Sequence, residues 1–216
     1  MILRELALAV WISLKTSGLA ALVASALAVP AALFLAGREF RGKRLILVIN
    51  QTWMAAPTVV IGLLFYSLLS RSGPLGRFGL LYTQTAMTVG QVFLILPLIV
   101  GFSYTALRQV DRRARPTALT LGATPAQASR VVLREARFAL LVAVLAGFAR
   151  AVSEVGIAMM LGGNIRNVTR NITTSIALET AKGEFRNGVV LGVVLLVITL
   201  GINILVQAGF RGRDSD

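Results

Sequence analysis

A chain of 216 residues that is 56% hydrophobic and only 14% charged, with a mean hydropathy of +0.78, lacks the composition of a water-soluble domain; such domains carry about 25% charged residues. It has no His and no Cys, which excludes imidazole acid–base catalysis, thiolate nucleophiles, disulfides and thiolate metal sites. Its nine acidic residues form no paired-carboxylate or metal-binding pattern, so an enzyme is not expected, and no catalytic residue or metal ligand is assigned.

Five segments are apolar over the roughly 20 residues that a membrane-crossing helix needs: 14–36, 45–69, 81–107, 138–161 and 188–210. They predict an all-α integral membrane protein with one transmembrane domain over 1–216. The first segment contains VASALA, whose small residues suit signal-peptide cleavage, but its apolar run is too long and it is read as a span. The net charge of +13 belongs to the loops between spans, without interleaved aromatics, which favours membrane orientation over a nucleic-acid partner.

The loop GREFRGKR follows the first span, and Gly37 to Lys43 matches GxxxxGK, the opening of a phosphate-cradling loop. Arg44 stands where a magnesium-ligating Ser or Thr is required, and a span follows at once. The stretch is read as a basic loop, and the chain is expected to bind no nucleotide itself. In the third span Gln84, Thr88 and Gln91 lie at i, i+4 and i+7, on one helix face. Their neutral donors suit a pathway that must release an anion, or hydrogen bonds between helices. Pro97 predicts a bend in that span.

The stretch RPTALTLGATPAQASRVVLREAR, 115–137, carries arginines on both sides, and its apolar residues Leu119, Leu121, Val131, Val132 and Leu133 form no run long enough to enter the membrane. Gly122 suits the position past a helix end, Thr124 an N-cap, Pro125 the first helical position, and Gln127 completes a T-x-x-Q capping box. One short helix should therefore end at Leu121 and a second begin at Pro125, forming a compact knob suited to docking in a groove of a soluble partner.

The fourth span carries Arg150 and Glu154 at i,i+4 near its middle, with Ser153 beside them. Each charge at such depth costs about 2.5–3.5 kcal/mol on insertion scales, so they are expected to pair, either as structure or as a gate that exchanges partners. The polar segment GGNIRNVTRNITTSIALETAKGEF follows, where Arg166 and Arg170 either meet an acidic partner or an anion or form a solvated face. Its two N-x-T sequons are read as without meaning. After Phe210 only RGRDSD remains, which does not suggest an appended anion-sensing domain.

Lys and Arg counts orient the spans. Arg38, Arg41, Lys43, Arg44, Arg108, Arg112, Arg113, Arg115, Arg130, Arg134, Arg137, Arg211 and Arg213 fall on one side. Arg4, Arg71, Arg77, Arg166, Arg170, Lys182 and Arg186 fall on the other. This predicts an outer N-terminus, a cytoplasmic C-terminus and a cytoplasmic knob within 108–137.

LGATPAQASRVVL resembles the coupling motif of ABC importer permeases, in which a short helix plugs into the partner ATPase. Gly122 falls on the motif's glycine, and Thr117 and Ala118 on its small residues. Pro116 replaces the usual Glu, and Arg134 follows Leu133 where the motif has proline. APTVVIGLLFYSLLSRSGPLG, GLLYTQTAMTVGQ and SEVGIAMMLGGNIRNVTRNITTSIALETAKGEF are similar to the tungstate branch of these permeases, close to the molybdate permeases.

The resemblance implies a five-span type I importer permease working as a homodimer in the bacterial or archaeal cytoplasmic membrane. Two ATPase subunits would hold ATP and magnesium, leaving this chain without a cofactor, and a periplasmic or extracellular binding protein would deliver the oxyanion. It places Thr117, Ala118, Leu121, Gly122, Ala123, Thr124 and Pro125 at the ATPase, and no nucleic acid among the partners. Molybdate is the alternative cargo. A self-sufficient channel or secondary transporter is disfavoured because no internal repeat is found. A membrane scaffold would leave the polar face of the third span and the Arg150–Glu154 pair unexplained.

Overall fold

The computed structural model describes residues 3–111 and 113–211, all helix, turn or loop. Arg112 and Arg213, counted above for orientation, lie outside the described residues. Helix α1 (Leu3–Gly37) begins well before the expected span and is roughly 50 Å long. Its inner face is a seam of alanines. Ala20, Ala24, Ala28 and Ala32 recur every fourth residue, all at 0% exposure. This lets α1 lie close against α4 (Gln84–Gln109), its main partner.

The second expected span is broken. Helices α2 (Lys43–Met54) and α3 (Thr58–Leu69) meet at 97°. Pro57 between them has no amide hydrogen to continue the helix, and its backbone is extended (φ −61°, ψ 128°). The fourth span is also broken, into α7 (Arg137–Val152) and α8 (Gly156–Gly162), bent by 59°. The third span is not: α4 runs through Pro97 as one helix, and the Asn50 side chain of α2 donates to the Pro97 carbonyl at 3.0 Å.

Between α4 and α7 lie α5 (Ala114–Thr120) and α6 (Pro125–Glu135). The polar segment after α8 is not merely a loop, since it contains α9 (Ile172–Ala181), whose first turn is buried, before α10 (Phe185–Arg211). By length and composition α1, α4 and α10 can each cross a membrane, and the two bent pairs raise the number to five. Helix α4 is the hub of the core: Gln91, Ile95 and Ile99 are fully buried on it, and α1, α7, α2, α8 and α3 pack around it. Long-range bonds fix the two ends of the bundle. Tyr82 N–H donates to Leu161 C=O at 2.8 Å at one end, and Arg115 donates to Gly37 C=O at 3.3 Å at the other.

Candidate functional site

At the second of these ends the α5–α6 knob is built by its backbone. Asp111 accepts from Arg113 N–H at 2.9 Å and turns the chain into α5, which carries Thr117 and Ala118. Ala123 N–H donates to Ala118 C=O and Gly122 N–H to Leu119 C=O, both at 3.0 Å. That double bond pattern closes a helix end and requires a left-handed residue, which Gly122 supplies at φ +88°. Thr124 then caps α6 through Gln127 N–H, the Gln127 amide returns to Thr124 N–H at 2.7 Å, and Pro125 is the first helical residue. The turn leaves Leu121 82% exposed, a large apolar side chain at the tip.

The knob is tied to the bundle. The Arg115 bond to Gly37 makes this tie, and beside it in the bundle Glu39 pairs with Lys43 at 2.8 Å and with Arg108 at 3.8 Å. Lys43, the lysine of the GxxxxGK match, is nearly buried, donates to Arg38 C=O as well, and lies over the Tyr104 ring. It is a structural cation in a basic corner.

The break in the fourth span is organised by Glu154. One carboxylate oxygen pairs with Arg150 at 2.8 Å, and the other accepts from Gly156 N–H at 2.8 Å and Ile157 N–H at 3.4 Å. The expected pair therefore forms, but across the end of α7 rather than along an unbroken helix, with Glu154 serving as the anion at the start of α8. Ser153 is exposed and bonds back to Arg150 C=O. Thr173 of α9 donates to Glu154 C=O at 2.9 Å. A Cβ on Gly156 would stand 3.3 Å from Thr58 Oγ1, so the two broken spans meet at their breaks.

Gln84, Thr88 and Gln91 share a face of α4 but do not form one lining. Gln91 is fully buried and donates to Ala151 C=O at 3.2 Å, satisfying a carbonyl at the end of α7, while its Oε1 has no partner among the described residues. Thr88 bonds back to Gln84 C=O. Gln84, at the far end, accepts from Lys15 at 3.1 Å and donates to Val168 C=O at 2.7 Å. Arg166 and Arg170 are not on a helix together. Arg166 pairs with Glu5 of α1, and Arg170 bonds to Asn164. Nearby, the Lys182 ammonium bonded to Glu179 holds that carboxyl below its ordinary range.

The sequence from residue 28 to 211 matches the family model of the binding-protein-dependent transport system inner membrane component. The chain belongs to this family. It is 40% identical over 208 residues to a probable anion ABC transporter permease protein of Haloferax volcanii, covering 94% of this chain and 88% of that one. It is 38% identical over 199 residues to the tungstate uptake system permease protein TupB of Peptoclostridium acidaminophilum, covering 92% and 87%. Its fold is similar to that of a chain in a crystal structure of an amino acid ABC transporter with histidines. There the TM-score is 0.70 at 17% identity, over 96% of this chain and 94% of that one.

Within this permease fold the structure brings Arg150, Ser153, Glu154 and Gln91 to one break, and the knob residues to one end. It separates Gln84, Arg166 and Arg170 from them, at the opposite end. Sequence reading missed Lys15, which reaches Gln84 from inside the first apolar run, and Thr173, which ties α9 to the break. A lone lysine in an apolar run was a usable signal for the first. Nothing local marks the second, because its partner is a backbone carbonyl 19 residues away.

Proposed function

We propose that the chain is the membrane-spanning permease subunit of an ATP-driven importer of tungstate, working as a homodimer with two ATPase subunits and a binding protein. The observation that carries the coupling role is the knob. A left-handed glycine and a capped helix hold an exposed Leu121 rigidly away from the spans, which is the chemistry of a plug for an apolar groove. Region 108–137, with Thr117, Ala118, Leu121, Gly122, Ala123, Thr124 and Pro125, faces the ATPase. The N-terminus lies outside and the C-terminus in the cytoplasm of a bacterial or archaeal cell.

The cargo reading is supported by similarity to a tungstate uptake permease along nearly the whole chain. Arg150, Ser153, Glu154 and Gln91 form the gate, where two broken spans touch and a rearrangement of partners would change their angle. Arg166 and Arg170, with Gln84 between them and Lys15, form the outer rim that receives the binding protein. ATP and magnesium are handled by the ATPase, not by this chain.

The test is co-purification with the ATPase and binding protein, reading ATP hydrolysis with the binding protein loaded with tungstate or molybdate. Tungstate should stimulate hydrolysis most, and Leu121→Asp should lose both the complex and the stimulation without a change in Tm. Anion movement in liposomes without any ATPase would refute the importer reading, and stronger stimulation by molybdate would change the cargo.

A further inference from the structure

The ends of α1 and α4 and the α5–α6 knob enclose a cavity of about 590 Å³. Three guanidiniums line it, Arg38, Arg108 and Arg115, against one carboxylate, Asp111. We propose that this cavity binds the phosphate headgroup of an anionic phospholipid, whose acyl chains lie along the outer face of α1.

Charge and hydrogen bonding both call for an acceptor anion there. Arg115 uses one terminal nitrogen on Gly37 C=O, but its Nε is buried without a partner among the described residues. An unsatisfied donor is costly, and a turn of the guanidinium that presented it to a phosphate oxygen would relieve that cost. Asp111 already accepts from Arg113 N–H, and Glu39 is engaged by Lys43 and Arg108. The lining is therefore a net cation at the level where the spans end, the usual setting of a lipid-headgroup site.

The apolar surface leading to the cavity selects a lipid over a free phosphate ion. Leu19, Leu22, Val23, Leu27 and Phe34 are exposed on one side of α1, at helical spacing. The stripe ends at Arg38, whose guanidinium lies 5.1 Å from the centre of the Phe34 ring. From Leu19 to Phe34 the helix rises about 22 Å, more than the roughly 15 Å hydrocarbon depth of one leaflet. A bound lipid would thus touch the knob with its head and a span with its tails.

The full-length chain in detergent, offered phosphatidylglycerol and phosphatidylcholine and read by native mass spectrometry, tests this directly. Phosphatidylglycerol should be retained over phosphatidylcholine. The Arg38→Gln/Arg115→Gln variant should lose about 25-fold of that retention, at about fivefold per charge near a membrane surface. Arg77→Gln, away from the cavity, should lose none. Asp111→Asn should raise retention about fivefold and decides the matter if the double variant does not fold. Equal retention of the two lipids, or no response to either cavity variant, overturns the proposal. Displacement by equimolar inorganic phosphate overturns it in favour of an ion site. Loss of ATPase binding with lipid retention intact overturns it by assigning the arginines to the ATPase. None of these outcomes bears on whether the chain transports an anion.

Discussion

Glu154 is 3% exposed and serves two groups at once, so its removal has separable consequences. Glu154→Ala leaves two amides of α8 without an acceptor and Arg150 without its counter-ion. We expect a loss of about 2–4 kcal/mol, at the low end because Arg150 is 39% exposed. Glu154→Gln keeps an acceptor for the amides and should cost only about 1 kcal/mol. Thermal unfolding in detergent distinguishes the two. Equal Tm losses would mean that the ion pair, not the helix start, provides the stability.

At the scale of the element, the alanine seam of α1 and the cap of α6 act through different physics. Ala28 is fully buried in the seam, so Ala28→Leu must push α1 away from its neighbours, at about 1–3 kcal/mol. Ala26→Leu, on the exposed side of the same turn, should leave Tm unchanged. Thr124→Ala removes the acceptor for Gln127 N–H and should cost about 1 kcal/mol locally. That loss should show as faster hydrogen exchange in the first turn of α6, with little change in global Tm. An unchanged exchange rate would mean that Pro125 and the packing of Ala128 hold the turn without the cap.

At the scale of the whole molecule, the two ends of the bundle must face opposite sides of a membrane. The chain has no cysteine, so single introduced thiols report cleanly. Gln127→Cys in the knob should react with an impermeant thiol reagent only in inverted vesicles. Ser72→Cys, at the opposite end, should react only in right-side-out vesicles. The reverse pattern would turn the topology over and move the knob away from any cytoplasmic ATPase.

Much of this was legible in the sequence because it depends on local chemistry. Apolar run length marked the three span-length helices and the two bent pairs, and Gly122, Thr124, Pro125 and Gln127 spelled out the knob, since caps and left-handed turns are decided within a few residues. The Arg150–Glu154 pair was legible for the same reason. Hydropathy did not tell that the second and fourth spans are broken, because it is indifferent to direction; Pro57 was a local signal for the first break, while the 97° angle goes with the packing of α3 against α8. Sequence also did not tell that Gln91 turns inward to Ala151 while Gln84 stays at the rim, or that Arg166 meets Glu5. Those partners lie tens to more than a hundred residues apart in the chain, and a polar group in a membrane span takes whichever partner the tertiary packing brings within reach.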